Sequence, residues 1–379
     1  MQRTATRGFS ILLAAFLAIL SGPAMATDMF VYFGAHGKGP NIGFSLAHFD
    51  TETGKLTTPA FLQEAVAPAY FILRPDGKRL YTCNSYPGSA VSAYAIDPVT
   101  AKLTFLNQKP SGGGDPSYVS LDPSGRYLMV ANFLGGSVAV FALRPDGSIG
   151  ERTAFVQNIG ASLDPNNPQH AHAHSIRFDP SNRFVLMADL GLDKLFVYRL
   201  DPKTGALQPN DPPSASVATG SGPRHTAFDP DGRFVYAINQ TANSITRFGW
   251  DSNRGALTQF ETVSTLPEDF KGESTGAEIL MHPSGKFLYA TNRGHNSIAV
   301  FSVQANTGRL TPIQHISTQG KTPRNADFDP TGRWLLVTNQ DSDNAVVFHI
   351  DPSTGRLTQN GQPIPVPAPF CERFLPVRK

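Results

Sequence analysis

The sequence predicts an all-β protein: a seven-bladed β-propeller with four antiparallel strands per blade and a ring closed by a strand from the C-terminus. Three observations carry this expectation. One turn motif recurs along most of the chain, and each recurrence is followed by the same series of short apolar strands. The composition is also that of a turn-rich protein, with 34 Gly and 31 Pro in 379 residues and only 16% charged.

The N-terminal segment stands apart from the repeat. Arg3 and Arg7 precede an apolar run from Phe9 to Leu20, and Ala24-Met25-Ala26 has the small residues of a cleavage site. Residues 1–26 therefore read as a secretory signal, and residues 27–379 as one propeller domain. The apolar run is shorter than the ~20 residues needed to span a bilayer, so the expected product is periplasmic or secreted, with no membrane attachment after cleavage. Removing the segment takes away two positive charges and no acidic ones, which brings the net charge of +2 close to zero. No basic block remains to follow a phosphate backbone, which excludes nucleic acid as a partner. Cys83 and Cys371 are the only cysteines. They exclude a disulfide scaffold and leave two readings open, one bridge or two free thiols.

The turn motif is Arg74-Pro75-Asp76-Gly77, Asp122-Pro123-Ser124-Gly125, Asp179-Pro180-Ser181-Asn182, Asp229-Pro230-Asp231-Gly232, His282-Pro283-Ser284-Gly285 and Asp329-Pro330-Thr331-Gly332. Its prolines lie 48, 57, 50, 53 and 47 residues apart. Proline presets φ at the second turn position and glycine suits the fourth. Each turn leads into an apolar strand such as Arg233 to Asn239 or Lys286 to Asn292, and then into an alternating strand such as Ser297 to Phe301. A second turn, as at Thr307-Gly308-Arg309, opens a last strand. A four-stranded sheet cannot bury both faces alone, so such units stack around an axis. Six motifs give six blades. The seventh begins with Met29 to Phe33 and lacks an innermost strand, which Pro369 to Pro376 is expected to supply, closing the ring and protecting its edges.

Repeat register also places side chains. Six and five positions before the turn proline, at the start of the innermost strand, stand Ala69-Tyr70, Ser117-Tyr118, His174-Ser175, Arg224-His225, Ala277-Glu278, Arg324-Asn325 and, counted from Pro376, Phe370-Cys371. The second strand runs back to the same rim. There the chain shows Asn84, Asn132, Asp189, Asn239, Asn292 and Asn339, followed by Ser85, Phe133, Leu190, Gln240, Arg293 and Gln340. The Asn/Asp row reads as structural. His174, Arg224, His225, Gln240, Glu278, Arg293 and Arg324 are expected to converge on one mouth, drawn mainly from blades four to seven. Such a cationic cluster suits a small anionic ligand. His170, His172 and His174 alternate on one strand face, a spacing that could hold a metal. With no acidic or thiolate partner at a motif spacing, the reading is no metal and no cofactor. Neither a phosphate loop at Gly112 to Gly114 nor a GxSxG nucleophile elbow is present.

With these residues in place, the chain resembles the lactonase family of seven-bladed propellers, which includes propeller-type 6-phosphogluconolactonases and carboxy-muconate cyclases. The resemblance rests on Ala173-His174-Ser175, Gly220 to His225, Ala277-Glu278-Ile279, Asn292 to Phe301 and Pro323-Arg324-Asn325. It implies a metal-independent site that opens or closes a lactone ring, with His174 and Arg224, and by weaker correspondence Arg293, matching the family's site residues. One departure stands out: Asn239-Gln240-Thr241 occupies the place where family members often read Asn-Glu-Leu. Glutamine exchanges no proton but still orients water. The expected function is hydrolysis of a small lactone by a monomer, with catalytic His174, Arg224, Glu278 and Gln240. His172, His225, Arg293, Arg324 and Asn325 would bind substrate. An exported enzyme would meet free sugar lactones or lactones from aromatic degradation rather than cytoplasmic sugar phosphates. The alternatives are a catalytically silent propeller binding an anionic small molecule or protein through the same mouth, and a muconate-lactonising cyclase.

Overall fold

A computed structural model describes residues 28–36, 42–85, 88–160 and 170–377. Residues 1–26, which read as a secretory signal in the sequence, lie outside the described residues. The strands form seven antiparallel sheets arranged as blades. Numbered from the N-terminus, blade one combines Asp28–Ala35, Gly43–Asp50, the short outer strands Lys55–Leu56 and Ala60–Glu64, and the C-terminal strand Pro369–Pro376. Met29 pairs with Pro376 and Gly34 with Cys371, so the two ends of the chain share that sheet. The innermost strands of blades two to seven are Pro68–Leu73, Pro116–Leu121, Ala173–Phe178, Pro223–Phe228, Thr275–Met281 and Pro323–Phe328.

The turn motifs fold as their sequence dictates. The fourth position adopts positive φ in every case, +65° at Gly77 and +69° at Gly332, and Asn182 meets the same demand at +58°. Asparagine tolerates this region better than other residues bearing a Cβ, which explains the one replacement. Where the motif begins with Asp, the carboxylate pins the turn: Asp122 accepts from the Arg126 and Tyr127 amides at 2.7 and 2.6 Å, and Asp229 accepts from Arg233 and Phe234 at 2.7 Å each.

Seven apolar clusters fill the spaces between neighbouring blades, so the core is itself a ring. Second-strand tyrosines tie one blade to the next. Tyr32, Tyr81, Tyr236 and Tyr289 donate to the Ala101, Gly147, Gly308 and Gly355 carbonyls at 2.6 to 2.9 Å, each in the following blade. Each bond contributes about 1 kcal/mol and satisfies a buried phenol. The Trp334 indole closes the circle by donating to the Thr51 carbonyl of blade one at 2.8 Å. The Asn/Asp row is buried and structural: Asn84 reaches the Val66 carbonyl, Asn239 reaches Ser244, and Asp189 accepts from the His172 amide. Both cysteines are buried and free, with Cys83 directed at the Tyr70 carbonyl and Cys371 at that of Phe71.

Candidate active site

Each innermost strand enters its sheet through the same irregularity. Pairing slips by one residue just after the first strand position, between Ala173 and Ser175, Pro223 and His225, and Pro323 and Asn325, with equivalents in the other four blades. His174, Arg224 and Arg324 are the extra residues. A bulge frees a side chain from the alternation of the sheet and re-aims it, and here the seven bulges form one circle around the channel mouth.

His174, Arg224 and His225 are 5%, 3% and 3% exposed, so two imidazoles and a guanidinium sit out of water side by side. The two imidazole rings lie 5.2 Å apart edge to face, and Phe133 packs against His174 at 5.3 Å. Burial, then the charge of Arg224 with those of Arg324 and Arg293 behind it, holds His174 well below the usual histidine range. It is therefore neutral, and its Nδ1 has no hydrogen-bond partner. An unpartnered buried polar atom costs ~1–3 kcal/mol unless something else completes it.

The three arginines that share this mouth bond to carbonyls and rings. Arg224 Nη1 donates to the Ala277 carbonyl at 2.6 Å and lies 3.3 Å from both ring nitrogens of His225. Arg293 Nη2 donates to the Gly276 carbonyl at 3.0 Å, and Arg324 lies 3.9 Å over the Phe370 ring. The Nε atoms of Arg224 and Arg293 have no partner. Ion pairs nearby join other groups, His225 to Glu278 at 2.8 Å and Arg373 to Asp327 at 3.8 Å; none links these three arginines to a carboxylate among the described residues. Burial disfavours the charged form of each, and Arg224 adds repulsion at Arg293 and Arg324. A guanidinium keeps its proton in proteins, so an incoming anion is what relieves this repulsion.

Below the arginines lies a layer tied together by Glu278. Its Oε1 accepts from His225 Nδ1 at 2.8 Å and from the Ile279 amide at 3.1 Å, and its Oε2 accepts from Asn325 Nδ2 at 2.6 Å. Asn325 is held in turn by Arg373 at 3.1 Å. Burial raises the Glu278 pKa, opposed first by Arg224. Burial and then Arg224 hold His225 well below its usual range. The pair is best described as a neutral imidazole donating from Nδ1 to a carboxylate, which leaves Nε2 to accept from Arg224. Beneath it a cavity of about 150 Å³ is lined by Tyr70, Tyr118, Arg177, Asp327 and Arg373, among others.

The structure thus brings His174, Arg224, Arg293 and Arg324 to one mouth, with His225, Glu278 and Asn325 as its floor. Gln240 stands on the rim. Its backbone is fixed at both ends, the Gln240 amide donating to the Gly222 carbonyl at 2.7 Å and its carbonyl accepting from the Gly276 amide at 2.9 Å. His172 lies to one side, its Nδ1 on the Phe133 carbonyl at 3.0 Å and its ring stacked on Phe133. The His170 side of that strand is exposed, and no cluster of three or more metal-ligating side chains occurs among the described residues.

Sequence reasoning missed His36. It is the blade-one member of the row that contains Ser85, Gln240 and Arg293, but its strand ends in Ala35 instead of asparagine and has no turn motif to set the count. Its Nε2 meets Ser85 Oγ at 2.6 Å and its ring stacks on Phe370 at 4.3 Å. With Asp115, Ser117 and Arg324 these residues line a lobe of about 210 Å³.

Known proteins agree with this architecture. Residues 30–374 match the family described as "Lactonase, 7-bladed beta-propeller". A Bacillus subtilis protein named 6-phosphogluconolactonase is 35% identical over 91% of this chain and 97% of its own length. One of the same name from Formosa agariphila is 32% identical over 77% of this chain and 84% of its own. The structure of the Pseudomonas aeruginosa periplasmic gluconolactonase superposes with a TM-score of 0.87 at 31% identity, covering 93% of this chain and 100% of that one. By fold, by bulge-borne site and by these likenesses, the chain belongs to the lactonase family of seven-bladed β-propellers.

Proposed function

We propose that this protein hydrolyses a small sugar lactone at the Arg224–Arg293–Arg324 mouth of its channel, after export to the periplasm or beyond. The observation that carries the reading is a buried neutral imidazole, His174, with an unpartnered ring nitrogen beside three guanidinium groups of which none is in an ion pair with a carboxylate among the described residues. The activities named for the Bacillus subtilis and Pseudomonas aeruginosa relatives support it.

His174 takes a proton from water as that water attacks the lactone carbonyl. The carbonyl oxygen gains the negative charge, and Arg224 with Arg324 or Arg293 stabilises it in a site where few water dipoles compete; one such donor is worth ~10²–10³ in rate. Collapse breaks the ring C–O bond, and the imidazolium returns its proton to the departing alkoxide. Gln240 Oε1 accepts a hydrogen bond from the attacking water or a substrate hydroxyl. Both Glu278 oxygens already accept hydrogen bonds, and its role is to hold His225 in the tautomer that supports Arg224. The product hydroxy acid ionises and releases one proton per turnover.

The test is proton release by the purified mature chain on sugar lactones and on a muconolactone. Turnover of sugar lactones above the spontaneous rate is expected. No acceleration on any lactone, with tight binding of the product acids, would favour a silent anion-binding propeller, the reading that Gln240 in place of a carboxylate suggests.

A further inference from the structure

On blades one and two the mouth carries a hydroxyl that lactone hydrolysis by His174 does not use. Ser85 Oγ lies 2.6 Å from His36 Nε2, and both residues line the lobe of about 210 Å³ that Arg324 also borders. We propose that Ser85 and His36 form a second catalytic centre, a nucleophile and its base, which takes the acyl group of a short-chain carboxylic ester onto Ser85 Oγ. This centre is separate from His174 and stands or falls without it.

The internal repeat shows that the fold does not ask for this pair. His36 and Ser85 hold equivalent places in adjacent blades, directly after the second strand, and each donates its amide to a carbonyl ahead of an innermost strand, His36 to Ala368 at 3.0 Å and Ser85 to Ala67 at 3.1 Å. Phe133 and Leu190 make the same bond in blades three and four, at 2.9 Å each. Phenylalanine and leucine fill the backbone role as well, so it requires neither a hydroxyl nor an imidazole. In blades one and two the two side chains nevertheless meet as donor and acceptor.

A serine becomes a nucleophile when a neutral, oriented base stands within hydrogen-bond reach, and the arrangement is recognised by geometry, with or without a GxSxG elbow. The His36 ring is oriented by stacking on Phe370, 4.3 Å between centroids and 21° between planes. Burial and then the charge of Arg324, opposed by Asp115, hold its pKa below the usual histidine value, so the ring is neutral and Nε2 accepts. Ser85 is 6% exposed, and its carbonyl is fixed by the Gly88 amide at 2.8 Å. His36 takes the Ser85 proton as Oγ bonds to the ester carbonyl carbon, and the carbonyl electron pair moves onto its oxygen, on the side where Arg324 borders the lobe. Collapse breaks the bond to the alcohol, which leaves with the proton from His36; water then cleaves acyl-Ser85 through the same base, giving the acid and the free serine. The lobe is smaller than the ~300–1,000 Å³ of sites for drug-sized ligands, which suits an acyl group of a few carbons.

The test treats the mature chain with diisopropyl fluorophosphate, which phosphorylates activated serines, and locates the adduct by intact mass and peptide mapping; p-nitrophenyl acetate reports acylation as a burst of p-nitrophenol. Wild type is expected to carry one adduct, on Ser85, and to give a burst of about one equivalent. Ser85→Ala should lose both, and His36→Gln should slow labelling by about 10²-fold or more. The wild-type labelling rate should stay level as pH falls through 6.5. Absence of an adduct on Ser85, or labelling of a folded His36→Gln variant within twofold of wild type, would overturn the proposal. Where a variant lacks a cooperative melt, the adduct on wild type decides: Ser85 sustains the centre, and any other site or none overturns it. No arm measures lactone turnover, so failure of the lactone-hydrolysis reading leaves these outcomes untouched.

Discussion

Replacing Glu278 with glutamine removes one negative charge and almost no volume, and the consequences follow from its three hydrogen-bond partners. The carboxylate accepts from His225, Asn325 and the Ile279 amide, at 2.8, 2.6 and 3.1 Å. An amide keeps one accepting oxygen and presents an NH2 group on the other side. Asn325 cannot easily turn to meet it, because its Oδ1 is held by Arg373 at 3.1 Å. The easier adjustment is at His225, whose proton moves from Nδ1 to Nε2. Nε2 lies 3.3 Å from Arg224 Nη1, so two donors would then face each other and Arg224 would shift from its place beneath the substrate. One such mismatch costs ~1–3 kcal/mol, which is about 5- to 150-fold in kcat/KM at 1.36 kcal/mol per decade. Proton release in a weakly buffered solution measures the loss, and thermal melting checks that the fold persists. A Glu278→Gln variant with kcat/KM within twofold of wild type would refute the role given to this layer.

Four further outcomes are expected. His174 is held well below the usual histidine range by burial and then by the cluster's positive charges, so kcat/KM should stay level as pH falls through 6.5 and decline only well beneath it. On the stability side, the unfolded chain takes up a proton near pH 6.5 that the folded His174 refuses, so folding stability attributable to this residue is present above 6.5 and lost as pH falls. Melts of wild type and His174→Gln between pH 7 and 5 should show the stability difference moving in the variant's favour as pH drops. Asn182→Gly should be nearly neutral, whereas Asn182→Ala should cost ~1 kcal/mol because φ there is +58°, to be read from denaturation midpoints. Deleting residues 369–379 removes the innermost strand of blade one and should yield a chain that aggregates or lacks a cooperative melt by calorimetry.

Much of the fold is written locally. The turn motifs fix six repeats through proline and positive-φ positions, and Pro369 to Pro376 is recognisable as a missing strand because blade one begins without one. The approach of His174, Arg224, Arg293 and Arg324 follows from repeat register, which needs only counting. The bulges that turn those side chains into the mouth depend on pairing with the next strand and leave no mark in composition. The same is true of Glu278, which register places at the rim but whose acceptors point to His225 and Asn325 in the floor. His36 escaped because Ala35 breaks the asparagine row. The state of the cysteines required the packed structure: burial pushes the Cys371 thiol up to about 12 against the opposing charge of Arg373, and each sulfur is directed at a carbonyl.

Chemistry at the bulge-borne mouth depends on His174 as base and Arg224 as oxyanion partner. The direct measurement is kcat/KM on a sugar lactone for wild type, His174→Ala and Arg224→Ala, each confirmed as folded by its melting curve. A fall of about 10²-fold or more is expected in both variants. Two folded variants with near wild-type turnover would contradict it and move the reaction elsewhere on the molecule.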